Sequence, residues 1–174
     1  MTVITEGKLI YVVQGTYHVT ALPEATLSTV LGSCISACLF DPVAAIGGMN
    51  HFLLPNGSGT EAGHIRFGVN AMEKLINELL QSGATKQRLQ AKLFGGACMS
   101  VTLNDIGQQN IAFAHSFLAD EGINIASESL GGVLARRVIF RPVTGQVKML
   151  FVQNGEVALN EVPSRPNPGT VEMV

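Results

Sequence analysis

The stretch that decides the fold covers residues 25–60 and reads ATLSTVLGSCISACLFDPVAAIGGMNHFLLPNGSGT, with one formally charged residue, Asp41. Residues 26–34 and 35–41 are rich in β-branched and apolar side chains, and a third apolar run, 44–55, follows the Asp41-Pro42 dipeptide. Short apolar runs bounded by Gly, Asp and Pro are typical of strands joined by turns. The stretch therefore predicts buried strands inside a sheet that is covered on both faces.

Helical periodicity appears twice in the middle of the chain. Residues 67–84 carry one apolar stripe and a helix-stop signal at Gly83, and residues 106–121 carry a second stripe. The stripe of the first helix consists of Val69, Met72, Leu75, Ile76, Leu79 and Leu80. Residues 55–65, before the first helix, are predicted to form a polar loop.

Strand-like runs lie on both sides of these helices and between them. They cover residues 8–13 and 18–22, then 88–94, 123–127, 135–140 and 147–153. The interpretation is about eight strands and two helices, without strictly alternating βα units. This predicts an α/β protein of α+β character, with layered mixed β-sheets packed against two main helices. We expect one domain over residues 1–174, with a core at about 8–152 and a C-terminal tail, 154–174, formed by a short strand and a loose end.

The composition excludes several classes of protein. The 174 residues carry a net charge of −2, with 11 Lys and Arg against 13 Asp and Glu, which argues against a nucleic-acid platform. Every apolar run is interrupted before it reaches about 20 residues, so no membrane insertion is expected. The N-terminal residues do not resemble a signal peptide, and three cysteines are too few for a disulfide framework, so we expect reduced thiols in the cytoplasm. The Cys and His spacings fit no zinc site, and no metal or organic cofactor is expected.

Cys34 is the best candidate for a nucleophile. It follows Leu31-Gly32-Ser33, and a Gly-Ser step between two strand-like runs can present the next side chain and its N–H to a pocket. A thiol needs a base within hydrogen-bond reach, and His51 on the next predicted strand is the obvious choice. The alternative is a purely structural role, in which Cys34 is an inert buried thiol and His51 a core residue. Cys38 and Cys98 are interpreted as packing residues.

The pairing of Cys34 with His51 depends on strand register. A hairpin centred on Pro42 places Cys34 opposite Asn50, whereas a bend between Pro42 and Val43 places it opposite His51. A hydroxyl to orient the imidazole is available at Ser28 or Thr29. On an extended strand Ser28 points to the same face as Cys34. The chain would have to bend near Gly32 to bring the Ser28 hydroxyl close to the imidazole.

These residues resemble the CheD family, the chemoreceptor glutamine deamidases. The resemblance runs through LGSCISACLFDP at 31–42 and GGMNHFLLP at 47–55, and continues through Arg66-Phe67 and AKLFGGA at 91–97. It ends with Ile106-Gly107 and Asn110, Gly131-Gly132 and Arg136, and Thr144-Gly145, so that it covers about residues 8–152. The combination of LGSC with HxxLP is its specific part.

The resemblance implies a catalytic group made of a Cys, a His seventeen residues later and a hydroxyl residue six before the Cys. On this chain these are Cys34, His51 and Ser28. It also implies a layered α/β fold with mixed sheets, hydrolysis of receptor glutamine side chains to glutamate through a thioester without a cofactor, and methyl-accepting chemotaxis receptors as substrates. In some species it implies a partner, the CheC phosphatase of the chemotaxis response regulator.

Two other functions compete with this interpretation. One is a non-catalytic docking module that regulates a CheC-type phosphatase or the receptors. The other is a Cys-dependent amidase or peptidase that acts on small molecules or backbone amides. The fate of a Cys34→Ala variant and the form of the substrate separate the three hypotheses.

Overall fold

The computed structural model describes residues 7–55, 59–100, 104–153 and 171–174, which form ten strands and two α-helices. In chain order these are β1 (Lys8–Tyr11), β2 (Tyr17–Thr20), β3 (Ala25–Leu31), β4 (Ile35–Asp41), β5 (Ile46–Asn50), α1 (Glu61–Gln81), β6 (Gln90–Gly95), α2 (Asn104–Glu121), β7 (Asn124–Leu130), β8 (Ala135–Arg141), β9 (Gln146–Val152) and β10 (Val171–Met173). The predicted α+β class is confirmed, but the count of about eight strands is too low. β1 and β2 coincide with the predicted runs at 8–13 and 18–22, and β10 lies inside the predicted tail, so the total was underestimated although these strands were expected. Most of the predicted tail, 154–170, lies outside the described residues.

The strands form two five-stranded mixed sheets. Sheet A has the order β1-β3-β8-β9-β10 and sheet B the order β2-β5-β4-β6-β7. β1 pairs with β3 and β6 with β7 in parallel, and the other pairs are antiparallel. The chain passes from sheet A to sheet B between Leu31 and Ile35, so that the LGSC segment lies where the sheets meet.

Two apolar cores cover the two faces of sheet B. One fills the space between the sheets and includes Cys38 and Phe40 of β4; the other packs under the helices and includes Ile35, Ala37 and Leu39. This alternation follows from the two-residue period of a strand. All seven residues of β4 and all five of β5 are buried, which confirms that the charge-poor stretch is covered on both faces.

Helix α1 begins at Glu61, six residues before the predicted start. Thr60 caps it, since its Oγ1 accepts a hydrogen bond of 3.0 Å from the Gly63 N–H. The part of the predicted loop at 61–65 is therefore helical. Its residues are mostly exposed and carry no apolar stripe, which is why periodicity alone missed this turn. Leu80, predicted to lie on the stripe, is exposed instead.

The β4–β5 hairpin has a different register from both predicted ones. Asp41 pairs with Ile46 and Cys38 with Met49, so the turn has four residues, Pro42 to Ala45. Asp41 sets this length, because its Oδ1 accepts hydrogen bonds of 3.0 Å from the N–H groups of Val43 and Ala44. Both predicted registers assumed a tighter bend and are wrong.

The true register still brings the two candidate residues to one side of the sheet. The hairpin extends to a bridge between Ile35 and Phe52, each donating its N–H to the other's carbonyl at 2.9 Å. Cys34 and His51 flank this bridge as diagonal neighbours on the face towards sheet A. Such neighbours lie roughly 7–8 Å apart between backbones, within reach of longer side chains.

Candidate active site

Three hydrogen bonds fix the backbone around Cys34. The carbonyls of Gly32 and Cys34 accept hydrogen bonds of 2.9 and 2.8 Å from the N–H groups of Ala97 and Gly96. The Ser33 carbonyl accepts one of 2.8 Å from the side-chain amide of Asn110. The thiol lies at the margin of the core between the sheets and is 9% exposed, so a fixed main chain presents a nearly buried sulfur.

The partners of His51 define its tautomer. Its Nδ1 lies 2.7 Å from Thr29 Oγ1 and 3.3 Å from the Val12 carbonyl oxygen, and Thr29 Oγ1 lies 2.7 Å from that same oxygen. A carbonyl only accepts, so the Thr29 hydroxyl donates to Val12 and accepts from an Nδ1–H. The proton of the neutral ring is therefore on Nδ1, and Nε2 carries the lone pair.

The hydroxyl in contact with the imidazole belongs to Thr29, and not to Ser28. Thr29 has the same parity as Leu27 and Leu31, which belong to the core between the sheets, whereas Ser28 alternates to the other face of β3. The structure therefore places Ser28 away from the imidazole, because side-chain alternation counted back from Cys34 does not continue where the chain passes from one sheet to the other. The open alternative, Thr29, is the residue that the structure brings to His51.

For the glutamine deamidation that the family resemblance implies, substitution of Thr29 by Val is expected to lower kcat about 10- to 100-fold, part of the roughly 10²–10⁴ that a positioned general base contributes. Valine keeps the shape of the side chain and removes the group that holds Nδ1–H. Ser28→Ala is the matched control and is expected to stay close to the wild-type rate. Steady-state rates of ammonia release measure both variants, and a larger loss with Ser28→Ala than with Thr29→Val would contradict this assignment.

Burial keeps both candidate groups neutral. It raises the pKa of the Cys34 thiol to about 11, although the residue's own backbone N–H lowers it in part. Burial also lowers the pKa of His51, against a smaller opposite effect of the hydrogen bond to Val12. Near pH 7 the resting site therefore holds a thiol and a neutral imidazole, and not a thiolate and an imidazolium.

Close backbone contacts explain the glycines behind Cys34. A Cβ on Gly95 would lie 2.0 Å from the Cys34 carbonyl oxygen, and one on Gly107 of α2 would lie 2.4 Å from the Gly96 carbonyl oxygen. The first turns of α2 thus pack directly against the 95–97 loop. Sequence reasoning did not assign these residues a positional role; the signal available was their occurrence in the family resemblance.

Asn110 and Arg136 complete this support. The buried amide of Asn110 accepts from the Leu54 N–H at 3.0 Å and donates to the Ser33 carbonyl, so it joins the chain before Cys34 to the chain after His51. The buried guanidinium of Arg136 donates to the carbonyls of Gly95 and Gly131 at 3.3 and 2.6 Å. Both act as positioning residues for the backbone of the candidate site.

The remaining candidates lie elsewhere. Cys38 is fully buried in the core between the sheets, in line with a packing role. His115, for which the sequence suggested no partner, forms an exposed pair with Glu128 at 2.7 Å. Neither contributes to the arrangement around Cys34.

A nearly buried thiol and an imidazole fixed through Nδ1, on one face of one sheet, define a cysteine–histidine site. The model of the CheD family, described as CheD chemotactic sensory transduction, matches residues 53–150. A probable chemoreceptor glutamine deamidase CheD of Cereibacter sphaeroides is 51% identical over 153 residues, which cover 88% of this chain and 77% of that protein. The chain belongs to the CheD family.

A second relative matches more of this chain. The Rhizobium etli protein with the same description is 48% identical over 172 residues, which cover 94% of each chain. Among solved structures, the hypothetical protein YfiH of Bacillus licheniformis aligns with a TM-score of 0.43 and 13% identity over 65% of this chain and 49% of that one. Family membership therefore rests on sequence over nearly the whole chain.

Proposed function

We propose that this protein hydrolyses the side-chain carboxamides of selected glutamines on chemotaxis receptors to carboxylates, with Cys34 as the nucleophile. The observation that carries the proposal is the orientation of His51. Its Nδ1–H is held by Thr29, so its basic Nε2 is left on the sheet face that also carries Cys34. The relatives described as chemoreceptor glutamine deamidases support the choice of substrate.

The first half of the reaction forms a thioester. Nε2 of His51 takes the thiol proton as the Cys34 sulfur bonds to the carboxamide carbon of the substrate. The backbone N–H of Cys34 lies beside its own sulfur, where it can donate to the oxyanion, an interaction worth roughly 3–4 kcal/mol in a comparable hydrolase. The imidazolium then protonates the leaving nitrogen, the C–N bond breaks, and ammonia departs.

The second half restores the thiol. His51 takes a proton from water, whose oxygen adds to the thioester carbon, and the C–S bond breaks to leave a glutamate on the receptor. The same imidazole returns the proton to sulfur. No oxidant, reductant or metal takes part in this balance, and each cycle adds one negative charge to the receptor.

The neutral resting pair gives this mechanism a distinct pH dependence. The value of kcat/KM is expected to fall as the pH drops through the lowered pKa of His51, because its protonated form is no base, and to stay level near neutral pH. Alkylation of Cys34 by iodoacetamide, corrected with Cys34→Ala, should keep rising above pH 8.5 towards about 11. An alkylation rate that is already level at pH 7 would mean a resting thiolate and would contradict the general-base step.

The location and the partners of the enzyme belong to the same proposal. None of the helices within the described ranges combines the length and apolar character needed to cross a membrane. We infer that the protein works as one domain in the cytoplasm, on the cytoplasmic domains of the receptors. A CheC-type phosphatase is a further partner in this proposal.

The test is to incubate a folded receptor cytoplasmic fragment with the wild-type protein and, separately, with Cys34→Ala. The ammonia released and the mass of the fragment are then measured. Deamidation by the wild type alone supports the proposal. A docking module would instead bind the fragment or a CheC-type protein without releasing ammonia. A small-molecule amidase would release ammonia from free glutamine, which we expect to remain intact.

A further inference from the structure

The segment Val12–Thr16 borders the candidate active site and is tied to His51. The Gly15 N–H donates to the His51 carbonyl at 2.8 Å, and the His51 N–H donates to the Thr16 carbonyl at 3.1 Å. A turn closes over Gln14 and Gly15, with the Thr16 N–H bonded to the Val13 carbonyl at 3.1 Å. Gly15 has φ +86°, which suits the third position of a type II turn. The backbone of Gln14 is thus fixed relative to the imidazole.

The side chain of Gln14 reaches the candidate nucleophile. The Cys34 thiol donates to its Oε1 at 3.6 Å, although residue 14 itself is exposed. This side chain carries the functional group that the proposed reaction consumes. A receptor glutamine has to bring its carboxamide to the same sulfur, so Gln14 occupies the place of the substrate group.

We propose that Gln14 is an internal substrate of Cys34, and that this chain hydrolyses its own Gln14 carboxamide to a carboxylate. The inference rests on the proposed function, because it needs the same nucleophile and base. It adds a modification site on the enzyme itself. Tethering favours the reaction, since an intramolecular carboxamide has a high effective concentration at the thiol.

Water is the only co-reactant that hydrolysis of the Gln14 carboxamide needs. The thiol proton moves to His51 Nε2 as sulfur bonds to Cδ of Gln14, and the C–N bond then breaks as the imidazolium protonates the leaving ammonia. Water adds to the thioester carbon, the C–S bond breaks, and His51 returns a proton to sulfur. The carboxylic acid that forms gives its proton to ammonia, so the products are ammonium, a carboxylate at position 14 and the free thiol.

The new charge changes the site. A carboxylate beside the sulfur disfavours the thiolate by like-charge repulsion. It is also strongly hydrated, so at this exposed turn the side chain moves into solvent. The thiol is then uncovered for a glutamine of another protein. The self-reaction therefore precedes turnover on receptors.

A protease that cleaves after glutamate provides the test. It releases peptide 7–24, which contains Gln14, no other Gln and no Asn, so that a mass gain of about one dalton has a single source. We expect this gain, with a new cleavage after position 14, in the wild-type protein and not in Cys34→Ala. Its rate should not change on dilution of the protein. The exposed Gln81, Gln87 and Gln146 are internal controls that should remain amides.

Four results would overturn the inference. An unchanged peptide 7–24 in a preparation that deamidates the receptor fragment would leave the proposed function standing and remove the internal substrate. Equal conversion in Cys34→Ala, or equal conversion of the three control glutamines, would mean spontaneous hydrolysis. Failure on both the receptor and Gln14 would overturn the proposed function together with this inference.

Discussion

Replacement of Cys34 by serine is expected to lower the rate of receptor deamidation about 10⁵- to 10⁶-fold, the scale seen when a hydrolase loses its nucleophile. Serine is close to cysteine in shape, and its hydroxyl can still donate to Gln14 Oε1. A neutral imidazole can activate a thiol far more easily than a hydroxyl of much higher pKa. The fold should survive, because the residue lies at the margin of its core cluster.

Two measurements check this prediction. Ammonia release on a receptor fragment gives the rate, and thermal unfolding gives the stability of the same preparation. Cys98→Ser is the matched control: it changes a more exposed thiol outside the arrangement of Cys34 and His51 and should keep an activity near that of the wild type. A Cys34→Ser protein with wild-type activity would remove the thiol from the mechanism.

Replacement of Gly95 by alanine is expected to reduce the free energy of unfolding by about 3–5 kcal/mol, at the upper end of single substitutions. Two effects combine. The backbone has φ +113°, which costs an L residue roughly 1–2 kcal/mol, and the new Cβ would lie 2.0 Å from the Cys34 carbonyl oxygen. Backbone cannot move aside as a flexible side chain can, so the 95–97 loop has to shift and to pull its hydrogen bonds away from Cys34.

Gly83 isolates these two effects. It has the same φ of +113°, but no atom of the described residues lies within 4 Å of an added Cβ. Gly83→Ala should therefore lose only the conformational part, about 1–2 kcal/mol, and retain activity. Urea unfolding of both variants gives the difference, and equal losses would contradict the close contact between Gly95 and Cys34.

The buried strands could be predicted from sequence because their signal is local. The ISACLFD run coincides with β4, since six apolar or small residues without a breaker lie between the Gly-Ser step and the Asp41-Pro42 turn. The register was not predictable in the same way. It depends on Asp41, whose carboxylate caps the N–H groups of Val43 and Ala44 and so enforces a four-residue turn.

The candidate site shows the same limit. Cys34 and His51 could be proposed from residue type and from the family resemblance, but the choice between Ser28 and Thr29 could not be made from parity. Parity holds along one strand, and the chain changes sheets between Leu31 and Ile35. The contacts of Gln14 with Cys34, of Asn110 with Ser33 and of Arg136 with Gly95 join residues that are far apart in sequence, and only the folded chain brings them together.

The central claim is hydrolysis of receptor glutamines through Cys34, and its most direct test uses heavy-oxygen water. A folded receptor cytoplasmic fragment incubated with the wild-type protein in H₂¹⁸O should gain about three daltons per modified glutamine, against about one in ordinary water, because the new oxygen comes from solvent. Fragment sequencing should place the label on glutamine side chains alone, and Cys34→Ser should add none. An unlabelled fragment after treatment with wild-type protein, or labelling that persists with Cys34→Ser, would contradict the account.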